Sequence, residues 1–120
     1  VGTQSASTAE EYMDKTEFFK KDVKEVKKYS DFVTAFMDLE NGRVDAVVGD
    51  EIVGRYYMSK HPDTIDAVDV AVGPVSEFGI AFAKDNTALR DDVQKVLNEM
   101  KADGTIAKIS EKWFGKDITK

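Results

Sequence analysis

Two short polar stretches of this sequence combine residue types that could bind a small charged molecule. Gln4-Ser5-Ala6-Ser7-Thr8 is rich in hydroxyl groups and leads into a predicted helix, and Gly49-Asp50 directly follows an apolar run. The free N–H groups and positive dipole end of a helix favour an anion at the first stretch. The Asp50 carboxylate could accept an ammonium group. If both stretches lie at one edge of a sheet, a free amino acid, which carries both charges, would suit the pair.

Each stretch also has a purely structural interpretation. Ser7-Thr8-Ala9-Glu10 forms a capping box, in which Ser7 accepts from the Glu10 backbone N–H and Glu10 reaches back to the Ser7 N–H. Asp50 could in the same way cap the helix that follows it. Taken alone, each stretch is better explained as a helix cap than as a binding site. A nucleotide phosphate is disfavoured because the first stretch lacks Walker and G-x-G-x-x-G glycines.

The amino-acid composition argues against several classes of function. The 120 residues suit one domain with one core, and no apolar run is long enough to cross a bilayer. A net charge of -6 without a Lys/Arg-rich patch argues against nucleic acid as a partner. The chain has no cysteine and only one histidine, His61, so disulfides, thiolate metal sites and histidine-based catalysis have little to build on. We therefore expect a binding protein without a cofactor or metal, and not an enzyme.

Apolar spacing and capping signals predict a series of helices and strands. Helices are expected where apolar residues recur at helical spacing, over residues 8–19, from an N-cap at Ser30 to Asn41-Gly42, over 51–60 and 87–102, and from a cap at Thr105 to Gly115. Strands are expected at 1–4, over 20–28 as a weak edge strand, at 44–48 buried on both faces, at 65–72 and at 79–83.

This order of elements predicts an α/β domain with a mostly parallel sheet flanked by helices. Ligands of such sheets bind beyond the carboxyl ends of the strands, which is where both polar stretches fall. The sequence opens on Val1-Gly2 without an initiator Met or a polar leader, and we interpret it as a fragment or a processed product.

Four stretches, in order along the chain, resemble extracellular solute-binding proteins of amino-acid ABC transporters, known as solute-binding protein family 3. Val1–Tyr12 resembles the start of their second lobe, and Leu39–Asp50 resembles their L-x-x-G-R-x-D-A-V-x-x-D segment. Phe78–Lys84 resembles the strand that returns through the hinge, and Asp103–Gly115 resembles their D-G-T…K-W-F-G ending. The resemblance implies one lobe of a type 2 periplasmic-binding-protein fold, which closes on its ligand by hinge motion.

The resemblance also implies roles for individual residues. The Thr8 position gives its N–H and hydroxyl to the ligand α-carboxylate, and the Asp50 position takes the α-ammonium. The Gln4 and Ser5 positions line the cleft, whereas Gly49 lacks the ligand-contacting side chain that its position can carry. The predicted ligand-binding residues are Gln4, Ser5, Ser7, Thr8 and Asp50.

The family's first lobe has no counterpart in this chain, so residues 1–84 are expected to form the second, ligand-binding lobe. Residues 85–120 would be the helical segment that packs on the first lobe in the family. We expect weak amino-acid binding, a permease partner for the whole protein, a periplasmic or cell-surface location, and a homodimer through the sheet edge or the C-terminal helices. There are two alternatives: an isolated α/β structural or interaction domain without ligand binding, or the sensor module of a larger enzyme.

Overall fold

The computed structural model describes residues 1–119 and divides into two compact units, Val1–Val75 and a second that begins at Ser76. The first unit contains β1 (Gly2–Gln4), α1 (Thr8–Lys15), α2 (Glu17–Lys21), β2 (Lys27–Tyr29), α3 (Phe32–Glu40) and α4 (Glu51–Lys60). The second contains α5 (Thr87–Ala102) and α6 (Thr105–Phe114). Helices with a small parallel sheet confirm the predicted α/β class. The lobe boundary expected at residue 84 stays a prediction.

The sheet of the first unit is parallel and has β1 at its centre. On one side β1 pairs with β2, so that Gly2 lies opposite Lys27. On the other side Gly2 forms a parallel bridge with Val47: the Gly2 N–H donates to the Ala46 carbonyl (2.8 Å) and the Gly2 carbonyl accepts from the Val48 N–H (2.9 Å). The chain on either side of β1 therefore runs in the same direction as β1 itself.

A buried hydroxyl fastens β1 to the segment that follows Val47. The Thr3 side chain is fully enclosed, and its Oγ1 donates to the Val48 carbonyl over 2.9 Å. Because a buried hydroxyl without a partner is costly, this bond fixes Thr3 and Val48 relative to each other.

The core of the first unit forms where the apolar stripe of α3 meets α1 and α4. Phe32, Ala35 and Phe36 are buried, as their helical spacing predicts. Phe36 stacks on Tyr57 of α4 with ring centroids 4.8 Å apart, and Ala9 of α1 completes the cluster. These contacts hold both helices that start at the carboxyl edge of the sheet against one packed centre.

The sequence predicted more strands than the structure contains within residues 1–119. The 44–48 segment was expected to be buried on both faces, but it joins the sheet through a single bridge, and both Asp45 and Ala46 are exposed. The strands expected at 65–72 and 79–83 are absent from the described residues, and Val68 and Ile80 are 83% and 62% exposed. Apolar alternation favours a strand only when a neighbouring strand supplies hydrogen bonds, and neither segment has one within residues 1–119.

Several helix boundaries also differ from prediction. The first helix was expected to run to Phe19, but α1 ends at Lys15 and α2 follows, with Thr16 donating its hydroxyl to the Tyr12 carbonyl (2.8 Å). Residues Lys20 and Lys21 are therefore helical, and β2 starts later than the edge strand predicted within 20–28.

Two predicted caps are displaced by one residue. The N-cap of α3 is Asp31 and not Ser30, because the Asp31 carboxylate accepts from the Thr34 N–H (2.7 Å). The N-cap of α6 is Gly104 in a left-handed conformation (φ +80°) and not Thr105, whose N–H donates to the Asp103 carboxylate (2.8 Å). At α3 the Asp31 carboxylate is the stronger acceptor for a backbone N–H than the neighbouring Ser30 hydroxyl.

An ion cluster closes the amino end of the sheet. Asp38 of α3 is buried and accepts from Lys27 (2.7 Å), Arg43 (2.8 Å) and the Tyr29 hydroxyl (2.8 Å). Hydrogen bonds from Lys27, then Arg43 and Tyr29, hold the pKa of Asp38 far below its ordinary value. Lys27 begins β2 and Arg43 precedes Val44, so Asp38 joins the starts of both outer segments.

A second polar cluster joins α3 to the end of α4. The Tyr57 hydroxyl donates to Glu40 over 2.8 Å, and His61 Nδ1 lies 3.1 Å from the same carboxylate. The His61 ring lies flat on the Tyr57 ring, with centroids 4.1 Å apart. Burial, followed by the bond to Glu40, raises the pKa of Tyr57 to about 12. His61 therefore takes part in packing at the end of a helix.

In the second unit, α5 packs on α6, yet none of the described α5 side chains is fully buried. Val96 of α5 and Trp113 of α6 are each about half exposed, at 50% and 46%. Ser110 is the buried polar residue of this unit; it accepts from the Ile118 N–H (2.9 Å) and donates to the Lys116 carbonyl (3.0 Å). No described helix of either unit is long and apolar enough to cross a membrane.

Candidate functional site

The two polar stretches leave neighbouring parallel segments at the same edge of the sheet. Gly2 lies opposite Val47 in the parallel bridge, and the same register counted two residues onward sets Gln4 opposite Gly49. Both chains then turn into helices, α1 and α4, whose N-termini start from this carboxyl edge. The structure thus brings together the two stretches that the sequence singled out.

In the first stretch, Ser7 is engaged by the fold. Its hydroxyl oxygen accepts from the Glu10 N–H (3.1 Å) and its hydroxyl proton goes to the Gln4 carbonyl (2.7 Å). Glu10 binds the Ala6 N–H and not the Ser7 N–H expected of a capping box, because Ala6 adopts a left-handed turn conformation (φ +56°). The structural interpretation therefore accounts for the Ser7 side chain.

The Glu10 carboxylate beside this turn is neutralised by an ion pair with Lys28 of β2. The hydrogen bond from Lys28, followed by that from the Ala6 N–H, holds the pKa of Glu10 below its ordinary value. The negative charge nearest the α1 N-terminus is thus already paired within the chain, which reduces its repulsion of an incoming anion.

Thr8, by contrast, keeps its donors unused. It is the first residue of α1 and is exposed, and neither its N–H nor its hydroxyl bonds to any other residue between 1 and 119. The side chains of Gln4 and Ser5 are also without a hydrogen bond to the described part of the chain, although the Ser5 N–H donates to the Tyr29 carbonyl (2.8 Å). A carboxylate placed here would meet free donors at the positive end of a helix.

Asp50 occupies the N-cap position of α4 but does not cap it. Its side chain accepts no helix N–H, and its half-buried carboxylate has neither a hydrogen-bond partner nor an ion-pair partner within the described chain. The nearby Arg55 pairs instead with Glu51 over 2.9 Å. The structural interpretation that the sequence left open for Asp50 is therefore not realised, and its charge is available to a cation.

A third loop ends at the same edge, and sequence reasoning did not consider it as part of the site. Tyr29 ends β2, and the chain passes through Ser30 to Asp31. The Asp31 carboxylate accepts from both the N–H (2.7 Å) and the hydroxyl (2.9 Å) of Thr34, and Ser30 donates to it. This loop is therefore closed by its own hydrogen bonds. The three-residue spacing of Asp31 and Thr34 is the sequence signal of that cap.

Sequence reasoning also missed the residue that lies behind Gly49. A Cβ at Gly49 would stand 2.6 Å from Cε1 of the buried Phe32 ring, closer than a side chain can approach. The resemblance implied that position 49 can carry a ligand-contacting side chain. In this chain the Phe32 ring fills the space that the Cβ of such a side chain would occupy.

The described residues offer no cluster of His, Cys, Asp or Glu that could hold a metal ion. What the edge combines is one free carboxylate, one free helix N-terminus with a hydroxyl, and uncharged polar side chains. This set can bind a small zwitterion by charge and hydrogen bonding.

Comparison with known proteins agrees with this chemistry. The sequence pattern of bacterial extracellular solute-binding proteins, family 3, matches residues 8–116. The L-cystine-binding protein TcyJ of Escherichia coli K12 is 38% identical over 96 residues, which is 80% of this chain and 36% of that protein. The ABC transporter arginine-binding protein 1 of the same organism is 34% identical over 117 residues, or 95% of this chain and 46% of that protein.

Solved structures give the same result. The L-cystine solute receptor of Neisseria gonorrhoeae, in an unliganded open conformation, superposes with a TM-score of 0.71 at 28% identity, over 99% of this chain and 48% of that one. An ancestral arginine-binding protein bound to glutamine superposes with a TM-score of 0.61 at 40% identity, over 96% and 49%.

The chain thus spans between about a third and a half of the length of the relatives it matches. These neighbours have the type 2 periplasmic-binding-protein fold, which confirms the α/β class and the resemblance drawn from the four stretches. The chain belongs to the bacterial extracellular solute-binding proteins, family 3.

Proposed function

We propose that this chain supplies half of the amino-acid cleft in the substrate-binding component of an ABC importer. The observation that carries the proposal is the unpaired Asp50 carboxylate at the same sheet edge as the unused donors of Thr8. An α-amino acid presents an ammonium and a carboxylate a short distance apart, and this edge presents one free group for each.

The proposed roles follow from which groups the fold leaves free. The Thr8 N–H and hydroxyl donate to the α-carboxylate, with support from the α1 dipole. Asp50 accepts from the α-ammonium. Gln4 and Ser5 face the ligand side chain or line the cleft. Ser7 contributes by holding the turn, since its hydroxyl is already engaged in two hydrogen bonds.

We propose that the ligand is a free α-amino acid, and the proposal does not select one amino acid over another. The matched relatives are named for cystine, arginine and histidine, which share the α-ammonium and α-carboxylate and differ in side chain. The groups left free at this edge suit the shared part. We propose accordingly that the chain binds and does not catalyse, since the relatives are named as binding proteins.

The proposal for the whole protein includes a membrane permease as partner and a location outside the cytoplasmic membrane. Both rest on the family, which is described as extracellular, and on relatives named as periplasmic.

We also propose that the isolated chain associates into a homodimer, because apolar side chains such as Val96 and Phe78 are exposed. Light scattering over a concentration series checks this, and a monomer at all concentrations would contradict it.

The amino-acid site is tested by titrating the ¹⁵N-labelled chain with single L-amino acids and following backbone amide shifts by NMR, which detects weak binding. We expect saturable shifts at Thr8 and Asp50 for at least one amino acid. Affinity should be weak, because the chain spans less than half the length of most matched relatives and many ligand contacts lie outside it.

Two controls make the test specific. The Asp50→Asn variant should lose the saturable shifts, whereas Asp45→Asn, which alters an exposed aspartate near the other end of the same segment, should keep them. An N-acetylated amino acid lacks the ammonium and an amino-acid amide lacks the carboxylate, so each should bind more weakly than the free amino acid. Shifts that are absent with every amino acid, or unchanged in Asp50→Asn, would overturn the proposal and favour an interaction domain without ligand.

A further inference from the structure

We propose that Phe32 is a positioning residue for Asp50, acting through the bare backbone of Gly49. This inference rests on the proposed amino-acid site, since it concerns how the ammonium-binding carboxylate is placed. Phe32 does not touch the ligand in this proposal. Its ring forms the surface against which the chain is held just before Asp50.

The need for such a surface arises because no side-chain bond orients Asp50. Its carboxylate makes no contact with a hydrogen-bond donor in the part of the chain that the structure describes. Its direction in space is therefore set by the backbone from Val48 to the first turn of α4. A free carboxylate on a loosely held backbone would lose ordering entropy each time it bound an ammonium.

Four contacts fix that backbone. The Val48 N–H donates to Gly2 (2.9 Å) and the Val48 carbonyl accepts from the buried Thr3 hydroxyl (2.9 Å), so the residue before Gly49 is tied to β1. The Asp50 carbonyl accepts from the Gly54 N–H (3.0 Å), so the residue after Gly49 is tied to α4. Gly49 itself lies against Phe32, which is the fourth contact.

The Phe32 contact is tight and has little room to yield. A Cβ on Gly49 would be 2.6 Å from Cε1, 3.0 Å from Cζ and 3.1 Å from Cδ1 of the ring. The ring is 8% exposed, and it is backed by Phe36 at 6.2 Å between centroids and by the cluster containing Ala9 and Tyr57. Close-packed interiors transmit such overlaps to the backbone. An added methyl group at Gly49 therefore displaces the main chain that carries Asp50.

The test is a set of variants read by ligand affinity and by amide shifts. Gly49→Ala should weaken amino-acid binding by about tenfold, which is the loss that accompanies a modest misplacement of one charged contact. Phe32→Leu removes Cε1 and Cζ, the two ring atoms nearest the added Cβ. The double variant Gly49→Ala with Phe32→Leu should therefore recover most of the affinity. Gly54→Ala is the matched control in α4, because its Cβ would meet only Phe36 at an ordinary 3.8 Å.

A further comparison separates positioning from a general loss of structure. With an N-acetylated amino acid, which has no ammonium for Asp50 to contact and is expected to bind weakly, Gly49→Ala should weaken binding no further. An equal loss with the free and the N-acetylated amino acid, or the absence of recovery in the double variant, would overturn the positioning role while leaving the amino-acid site intact.

The outcome remains informative if the unmodified chain binds no amino acid, which overturns the proposed function by itself. In that case the amide shifts of Glu51 and Gly54 without ligand report on the contact, because neither residue adjoins position 49 and the Gly54 N–H donates to the Asp50 carbonyl. They should move in Gly49→Ala and return in the double variant. Unmoved shifts in Gly49→Ala would contradict the placement of this backbone by Phe32.

Discussion

The two ends of the small sheet use aspartate in opposite ways. At the amino end, Asp38 is enclosed and bonded to Lys27, Arg43 and Tyr29. At the carboxyl end, Asp50 is half-buried and has no partner within the described residues. The sequence singled out Asp50 as a candidate ligand for an ammonium group and gave no comparable signal for Asp38.

The difference separates a carboxylate that holds the fold from one that is free to bind. A buried charge is tolerated when several donors surround it, and removing it then leaves those donors without their acceptor. A carboxylate left without any donor contributes nothing through such bonds to the free energy of folding. The proposed amino-acid site therefore rests on the unused charge of Asp50.

The largest expected effect is the loss of stability on replacing Asp38. Asp38→Asn keeps the shape of the side chain but removes the charge that joins the starts of β2 and of the 44–48 segment. We expect its urea midpoint to fall further than that of any other substitution considered for this chain. The loss is moderated because Lys27 and Arg43 are 45% and 65% exposed and can regain water. If the urea midpoint of Asp38→Asn equalled that of Asp50→Asn, the two ends of the sheet would not differ in how they use aspartate.

The second expected effect is a dependence of stability on pH that comes from the same residue. The pKa of Asp38 is lowered in the folded chain, while in the unfolded chain it is about 3.9. Below that pH the unfolded chain binds more protons, so the stabilisation present above it is lost as the pH falls toward the folded pKa.

The measurement is urea unfolding across the acid range for the unmodified chain and for Asp38→Asn. The unmodified chain should lose stability more steeply as the pH falls. Carboxylates with lowered pKa values elsewhere contribute equally to both proteins, so they cancel in the comparison: Glu10, Asp31, Glu40, Asp103 and Asp117. Parallel acid profiles would contradict a structural charge at Asp38.

A smaller effect is expected at the helix cap of the carboxyl end. Ser7→Ala removes the hydroxyl that caps α1 and should lower the free energy of unfolding by about 1 kcal/mol. Ser5→Ala is the matched control two residues earlier, since the exposed Ser5 hydroxyl bonds to no described residue, and it should stay within about 0.5 kcal/mol of the unmodified chain. Equal losses in the two variants would mean that the Ser7 cap does not stabilise α1.

The smallest effect is expected at Asp50, and its small size is what makes it informative. Asp50→Asn should leave the free energy of unfolding within about 0.5 kcal/mol, because no described bond depends on the charge. The same variant is expected to lose amino-acid binding. Calorimetric unfolding of both proteins without ligand checks the first half, and a clear destabilisation would assign Asp50 to the fold.

The sequence was most informative where local interactions decide the structure. The spacing of Leu89, Val93 and Met100 predicted α5, and its bounds of Thr87–Ala102 agree with the structure. The stripe on α3 and the left-handed Gly42 that follows that helix were equally predictable (φ +69°). Helices satisfy their own hydrogen bonds, so their patterns need no information about distant residues.

Strands were less predictable for the corresponding reason. Residues 65–72 and 79–83 have the alternation of strands but no pairing within the described chain, and alternation alone does not reveal whether a neighbour exists. The site showed the same limit. Its position at the carboxyl edge followed from topology, but the sequence could not show that Ser7 caps while Asp50 does not, nor that Phe32 lies behind Gly49.

The flat stacking of His61 on Tyr57 has a practical consequence for all of these measurements. His61 is the chain's only histidine, and the planes of the two rings are 2° apart. Imidazole protons above an aromatic face are displaced upfield by its ring current, so this chain carries a single natural resonance probe at the end of α4. Its return to an ordinary frequency in any variant would reveal, without labelling, that the stack of His61 on Tyr57 has opened.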